Sequence, residues 1–143
     1  MRANMQVRRV LPLVKRVLLS TTLCVGQIAP AFSTPSGGTV QSGDISISQE
    51  SASSLTITQT SERGLIHWQD FSVGAGETIR FTQPNANSIT ANHVIGVNAS
   101  QLYGQIEANG QIILINPNGI VFGAGSVIDA AGLLASTLAM NET

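Results

Sequence analysis

Carboxylates and histidines are the side chains of this chain that suit acid–base catalysis or metal binding, and their spacing favours neither. Asp44, Asp70 and Asp129 are far apart in sequence, although a repetitive fold can still bring distant carboxylates onto one face. His67 and His93 have no third metal-ligating residue at a recognisable spacing. The chain lacks a Gly-x-Ser-x-Gly elbow, a phosphate-binding loop and a His-Glu-x-x-His motif. We therefore predict no catalytic residue, no cofactor and no metal site, and thus a protein that is not an enzyme.

The charged residues are unevenly distributed along the chain. Five of the seven Lys and Arg residues lie within the first sixteen positions, and all eight Asp and Glu residues lie from Asp44 onward. When the segment 1–31 is left out, two basic and eight acidic side chains remain, a net charge of 2 − 8 = −6. Nucleic acid and anionic lipid are bound by clusters of basic residues. The charge distribution therefore predicts no nucleic-acid partner.

Residues 1–31 have the layout of a secretory signal peptide. Basic residues extend to Arg16, an apolar segment follows, and small residues precede a cleavage site after Ala31, with a second possible site after Ser33. The apolar segment is shorter than the roughly 20 residues that a membrane-spanning helix needs. Cys24, the single cysteine, lies inside this leader, so we predict no disulfide in the exported chain. The predicted organisation is a cleaved signal peptide at 1–31 and one partial β-helix domain at 32–143.

Short alternations of apolar and polar residues indicate β-strands along the rest of the chain. Gly and Asn turns interrupt them at intervals too short for helices of ordinary length. Residues 133–139 fit a strand and a helix equally well by periodicity. The segments predicted as strands are 45–48, 55–58, 65–73, 78–81, 88–90, 93–95, 112–114 and 120–122.

A sandwich and a solenoid are the two all-β architectures compatible with many short strands. A sandwich has longer strands joined by hairpins, so the short strands and closely spaced turns favour a parallel β-helix, in which coils stack strand on strand. The first strands are expected to cap one end. No strict sequence period is visible. The apolar run before Thr143 has no evident cap, so we expect a fragment of a longer solenoid. A fragment of a secreted β-solenoid carbohydrate-active enzyme is the alternative function.

One turn is well defined by its residue types. Asn116-Pro117-Asn118-Gly119 fits a type I turn, because Asn is favoured at the first position, Pro at the second and Gly at the fourth. The turn separates the predicted strands 112–114 and 120–122. Side-chain amides of Asn116 and Asn118 are expected to satisfy backbone groups of the turn.

Four segments in a fixed order behind the leader resemble one family of exported proteins. They are similar to the N-terminal secretion domain of filamentous haemagglutinin-like exoproteins, the passengers of two-partner secretion. The resemblance covers roughly residues 39–140, which is the first part of the family's longer domain. The segments that carry it are Ile66–Gly74, Ile79–Asn85, Ala108–Gly123 and Leu134–Leu138.

The chain departs from the family pattern at a few positions. The family usually has Asn where His67 stands, and Leu-Asn-Arg where Ala91-Asn92-His93 stands. The second short motif of the family, Asn-Pro-Asn-Leu, has no clear counterpart. Another recurrent turn of the family is present as Gln83-Pro84-Asn85, and we do not equate the two.

The resemblance implies a right-handed parallel β-helix, a single-stranded solenoid. It also implies recognition in the periplasm by the POTRA domains of an Omp85-type outer-membrane transporter, and a final location outside the cell or at its surface. Regions downstream of the module are expected to contact host-cell glycans or receptors. The residues that the resemblance singles out are a primary motif (Asn116, Pro117, Asn118, Gly119 and Ile120) and a secondary motif (Gln83, Pro84, Asn85, Asn109 and Gly110).

Two roles are open for the primary motif. It is either a recognition element for the transporter or a turn that fixes the register between two coils, and we favour the structural role. Trp68 and Phe71 are predicted to fill the core rather than to form an exposed anchor. Arg63 and Arg80 are predicted to be isolated surface charges.

Overall fold

Twelve β-strands make up the described part of the chain, residues 34–141 of a computed structural model. The predicted signal peptide lies outside the described residues. Within 34–141 there is no helix, and hence none that is long and apolar enough to cross a membrane. The strands are β1 (Thr39–Ser42), β2 (Ile45–Ser51), β3 (Ser54–Gln59), β4 (Arg63–Trp68), β5 (Thr78–Thr82), β6 (Ile89–Val94), β7 (Ser100–Leu102), β8 (Gln105–Ala108), β9 (Gln111–Ile115), β10 (Ile120–Phe122), β11 (Val127–Asp129) and β12 (Gly132–Ser136).

The strands form three sheets that run along a solenoid of about four coils. Sheet I has the order β1-β4-β6-β9-β12, sheet II the order β2-β3-β5-β8-β11, and sheet III consists of β7 and β10. The chain visits sheet II, then sheet I, then sheet III, and returns one coil further along. Coil 1 contains β3 and β4, coil 2 β5 to β7, coil 3 β8 to β10, and coil 4 β11 and β12. The predicted parallel β-helix is confirmed.

The first two strands differ from the others in direction. β1 pairs antiparallel with β4, and β2 pairs antiparallel with β3, whereas the described pairs between coils are parallel. Ile45 and Ile47 of β2 pack against the core, while the serines between and after them are exposed. The two strands therefore cover the coil 1 edge of sheets I and II and present polar side chains outward, as predicted for capping strands.

A single apolar core runs through the coils. Inward positions alternate with outward positions along each strand, so stacked coils place buried side chains on top of one another. Trp68 and Phe71 are both buried, with ring centroids 5.6 Å apart in an edge-on arrangement. Their predicted place in the core is confirmed. The core residues are Leu55, Ile57, Ile66, Trp68, Phe71, Val73, Ile79, Phe81, Val94, Leu102, Ile106, Ile112 and Leu114.

The coils differ in length, which explains why the sequence shows no strict period. In sheet II, Ser54 stacks on Thr78, Thr78 on Gln105 and Gln105 on Val127. The chain therefore uses more residues between the second pair of stacked positions than between the first or the third pair. Much of the variation lies in the corner between sheets II and I. This corner spans 60–62 in coil 1, 83–88 in coil 2 and 109–110 in coil 3.

The structure corrects two predictions and resolves two details. The strand predicted at 65–73 is the shorter β4, which ends at Trp68. Arg80 is not isolated: its Nη2 and Nε lie 2.8 and 2.9 Å from Oε2 of Glu107, because the parallel register places these residues side by side. The segments predicted as separate strands at 88–90 and 93–95 form the continuous strand β6, and the ambiguous segment after residue 132 is the strand β12.

Candidate functional site

The primary motif forms the turn between β9 and β10. The backbone N–H of Gly119 donates to the carbonyl of Asn116 at 3.0 Å, which closes the predicted four-residue turn. Gly119 has a φ of 118°, a conformation that side-chain-bearing residues rarely adopt. Ile120 follows at the start of β10, where it is half-buried and packs against the core. The Pro and Gly of the motif therefore stand where the turn requires them.

Asn116 is completely buried, and both ends of its amide are used. Its Nδ2 donates to the carbonyl of Asn98 at 3.0 Å and to Oγ of Ser100 at 2.9 Å. Its Oδ1 accepts from the backbone N–H of Asn118 at 2.9 Å. A side chain with no exposed surface and no spare hydrogen-bonding group is not accessible to a partner protein. The buried Asn116 amide instead ties the turn of coil 3 to coil 2.

Asn118 makes the second link to coil 2. Its side chain is exposed, and its Nδ2 donates to the carbonyl of Gly96 at 2.7 Å and to Oδ1 of Asn116 at 3.0 Å. A backbone bond from Ser100 N–H to the Gly119 carbonyl at 3.0 Å completes the contact. The prediction that asparagine amides satisfy backbone groups of the turn is confirmed for Asn116, whose Oδ1 accepts from the N–H of Asn118. The Asn118 amide instead donates to the backbone carbonyl of Gly96 in the previous coil and to the Asn116 side chain.

The secondary motif forms a different corner, at the other end of β9. Gln83 is buried, and its Nε2 donates to Oγ1 of Thr90 and to the carbonyl of Gln111, each at 3.0 Å. Its Oε1 accepts from the backbone N–H of Gly110 at 2.9 Å. Asn109 bonds the backbone of Gln83 in both directions, with N···O distances of 2.7 and 2.6 Å. The structure thus brings Gln83, Asn109 and Gly110 together across two coils.

Gly110 is required by this corner. A Cβ on Gly110 would lie 2.7 Å from Cδ of Gln83 and 2.8 Å from the Ser88 carbonyl oxygen, closer than non-bonded atoms approach. The Gln83 side chain therefore fills the space that any larger residue at 110 would need. Asn85 bonds Glu62 through its Nδ2 at 2.9 Å, and Pro84 is exposed beside it. The primary and secondary motifs remain separate sites, because the strand β9 lies between them.

Several buried polar residues that link coils are absent from the predicted motifs. Gln59 of coil 1 occupies the place that Gln83 occupies in coil 2, and it donates to the Ile89 carbonyl at 3.2 Å. Thr90 lies between the two glutamines and donates to Oε1 of Gln59 at 2.7 Å. Asn92 accepts from Nε1 of Trp68 at 2.9 Å inside the core. Polar residues at inward positions of alternating strands are the sequence signal that marks them.

The candidate catalytic and metal-binding residues lie in different parts of the fold. Asp44 precedes β2, Asp70 follows β4 and accepts a hydrogen bond from Asn98, and Asp129 ends β11. His67 and His93 are neighbours in sheet I, with ring centroids 5.2 Å apart. Within residues 34–141, no group of three or more His, Cys, Asp or Glu side chains is arranged to hold a metal ion.

Comparisons with known proteins agree with this geometry. The family model described as TPS secretion domain matches residues 31–143. Two proteins from Haemophilus influenzae, each named heme/hemopexin-binding protein, are 42% identical over 95 residues and 37% identical over 121 residues. These matches cover 66% and 85% of this chain but 10% and 13% of the relatives. The crystal structure of the HMW1 secretion domain from Haemophilus influenzae matches with a TM-score of 0.70 and 34% identity, over 75% of this chain and 28% of that one.

The chain belongs to the TPS secretion domain family. It is therefore a secretion-directing module of the two-partner type, and the resemblance read from the sequence is confirmed. The comparisons give no support to the alternative of a carbohydrate-active enzyme. Because the chain spans about a tenth of the length of the curated relatives, their activities do not transfer to it directly.

Proposed function

We propose that this module is recognised in the periplasm by the POTRA domains of an Omp85-type outer-membrane transporter, which exports the exoprotein that carries it. The observation that supports this most strongly is the coil stack, which matches the HMW1 secretion domain at a TM-score of 0.70. The family match over residues 31–143 supports the same role. The exported product acts outside the cell or at its surface.

Delivery to the periplasm is assigned to residues 1–31 as a cleaved signal peptide, with 32–143 as the module. Support comes from the basic, apolar and small-residue order of the leader, and from a family match that begins at residue 31. Mass spectrometry of exported material should find an N-terminus at Phe32 or Thr34. Exported protein that still begins at Met1 would contradict the assignment.

The role proposed for the primary motif is to lock coil 3 onto coil 2 during folding, rather than to contact the transporter. The buried amide of Asn116 supports this, because a partner cannot reach it while it bonds Asn98 and Ser100. The secondary motif is assigned the same role at the opposite corner, where Gln83 bonds Gly110. Both motifs would then serve secretion by making the module fold.

Contacts with host-cell glycans or receptors are assigned to regions downstream of this chain. The relatives are named for heme or hemopexin binding, and this chain covers 10% and 13% of their length. The proposal for this chain is therefore limited to export.

Transporter-dependent secretion of a reporter tests the proposal. Residues 1–143 fused to a reporter should appear in the medium when the cognate transporter is co-expressed, and should stay in the periplasm without it. Equal secretion with and without the transporter would rule out the proposed recognition. A fusion that lacks residues 116–120 serves as the matched folding-defective control.

A further inference from the structure

Two Asn-Gly pairs stand in the corners that join coil 3 to coil 2. They are Asn109-Gly110 in the secondary motif and Asn118-Gly119 in the primary motif, and the sequence contains no other Asn-Gly pair. Both asparagines are exposed to water. A pair of this kind has a chemistry of its own, because glycine lacks the side chain that hinders attack of its backbone nitrogen on the preceding asparagine.

The reaction of an Asn-Gly pair is the loss of ammonia from the asparagine. The backbone nitrogen of the glycine gives up its proton and forms a bond to Cγ of the asparagine, while the bond from Cγ to Nδ2 breaks and Nδ2 leaves with a proton as ammonia. Water then adds to either carbonyl of the resulting cyclic imide and opens it to aspartate or isoaspartate. The reaction is not a redox step, and solvent water is its only other reactant.

The fold engages every group that this reaction uses at Asn109-Gly110. The N–H of Gly110, which has to lose its proton, donates to Oε1 of Gln83 at 2.9 Å. The Asn109 amide bonds the Gln83 backbone in both directions, at 2.7 and 2.6 Å, and this fixes the orientation of the side chain. Because Gly110 is buried and Gln83 belongs to coil 2, the reaction requires the corner between the two coils to open.

The Asn118-Gly119 pair is held more locally. The N–H of Gly119 donates to the carbonyl of Asn116 at 3.0 Å, within the same turn. Nδ2 of Asn118 donates to the Gly96 carbonyl at 2.7 Å and to Oδ1 of Asn116 at 3.0 Å. Gly119 is only half-buried, so opening of the turn alone exposes its N–H. The fold therefore protects both pairs, and it protects Asn109 more than Asn118.

The products of the reaction do not fit the two corners. An oxygen in place of Nδ2 of Asn118 would face the Gly96 carbonyl and Oδ1 of Asn116 with no proton between them. The same replacement at Asn109 would set a carboxylate oxygen against the carbonyl of Gln83, where Nδ2 now lies 2.6 Å away. Isoaspartate also adds a methylene group to the backbone. Each product thus loses a hydrogen bond between coils and gains a repulsion in its place.

We propose that Asn109 and Asn118 are sites of spontaneous deamidation, reactive in the unfolded chain and protected when coil 3 stacks on coil 2. Ammonia lost to water is not regained, so the modification limits how long an unfolded chain keeps its ability to fold. The proposal goes beyond export, since it does not depend on which protein recognises the module. The hydrogen bonds that stabilise the two corners also preserve the asparagines that form them.

The intrinsic reactivity is measured in the chain unfolded in guanidinium chloride at mildly alkaline pH. Peptide mass spectrometry follows the modified fraction at each asparagine over time. We expect Asn109 and Asn118 to react at rates within threefold of each other, and at least tenfold faster than Asn98, which precedes Ala99. Gly119→Ala should slow the reaction at Asn118 at least fivefold and leave Asn109 unchanged. A rate at Asn98 equal to the other two overturns the inference.

The same measurement without denaturant tests the protection. We expect the rate to fall at least tenfold at both sites, and Asn109 to react more slowly than Asn118, because only the latter opens with its turn. Circular dichroism follows the β signal during the incubation. Rates equal to those in denaturant overturn the inference, whether or not the chain keeps its β signal. Faster reaction at Asn109 than at Asn118 also overturns it.

Substitution by aspartate tests the effect of the modification on folding. Asn109→Asp and Asn118→Asp should each lower the thermal midpoint of the purified chain. The matched control is Asn87→Asp, which adds the same charge at an exposed residue whose side chain makes no hydrogen bond within residues 34–141, and it should keep the wild-type midpoint.

Wild-type chain aged in denaturant covers the case in which an aspartate variant does not fold. After dilution from guanidinium chloride, the fraction that regains the β signal should fall as the modified fraction at Asn109 and Asn118 rises. The modified molecules should be found among those that fail to refold. Modified chains that refold and melt at the wild-type midpoint overturn the inference.

Discussion

Asn116→Ala tests whether the primary motif acts through folding. The wild-type side chain is 0% exposed and makes four hydrogen bonds. Its Nδ2 donates to the carbonyl of Asn98 and to Oγ of Ser100, and its Oδ1 accepts from the backbone N–H and from Nδ2 of Asn118. Alanine removes all four and leaves their partners in or near the protein interior. A buried polar group left without a partner costs about 1–3 kcal/mol, and the Ser100 hydroxyl is able to reorient.

The expected loss is about 2–4 kcal/mol in the free energy of unfolding, because water reaches the N–H of Asn118 at the exposed end of the turn. This is a large part of the roughly 5–15 kcal/mol typical of a domain. For a domain near this size, it corresponds to a fall of roughly 10–20 °C in the thermal midpoint. Denaturant titration and thermal unfolding of the purified chain measure both quantities.

Matched controls lie in the same turn. Pro117 is exposed, so Pro117→Ala should change the free energy of unfolding by less than about 1 kcal/mol. Asn118→Ala loses bonds at an exposed side chain and should cost about 1 kcal/mol. Secretion should fall in proportion to stability across the three variants. The folding role is refuted if a variant loses transporter binding or secretion while its thermal midpoint stays at the wild-type value.

Three further predictions concern other contacts of the solenoid. Gly119→Ala should lower the free energy of unfolding by about 1–3 kcal/mol through backbone strain at φ 118°. A steric clash does not contribute, because the new Cβ would lie 3.6 Å from its nearest neighbour, Ala99. Thermal unfolding measures the loss, and an unchanged midpoint contradicts the prediction. Gly110→Ala should cost more stability when it is made in the wild type than when it is made in a Gln83→Ala background, because the Gln83 side chain occupies the space that the new Cβ needs. A double-mutant cycle measures this coupling, and a coupling energy of zero argues against the contact. Arg80→Ala should cost less than about 1 kcal/mol, since its side chain is 60% exposed and that of Glu107 40%; the effect should vanish in high salt.

The local structure was readable from the sequence where residue type alone decides it. Alternation of apolar and hydroxyl residues predicts strands such as β3, and Asn-Pro-Asn-Gly predicts its turn, because these preferences belong to a few adjacent residues. The order of the family segments further predicted the coil stack.

Contacts between coils were less readable, because they depend on register. Arg80 is stacked on Glu107, and Glu107 on Asp129, but more residues separate the first pair along the chain than the second. A constant sequence period therefore cannot predict both contacts. The sequence predicts two short strands in place of β6, and Asn92, which lies between them, is an inward residue that bonds Trp68. Buried polar positions of this kind need the neighbouring coil to be understood.

Four buried side chains form hydrogen bonds that share a direction along the solenoid. Gln59 and Trp68 of coil 1 find their partners in coil 2, and Gln83 and Asn92 of coil 2 find theirs in coil 3. These bonds of each coil are therefore completed only when its successor is laid down. In a nearest-neighbour description, these bonds belong to the interfaces between coils rather than to the intrinsic stability of a single coil. If the chain emerges with its N-terminus first, each coil completes these hydrogen bonds only after the next coil has emerged. The most recently emerged coil is then the least stable one at every stage.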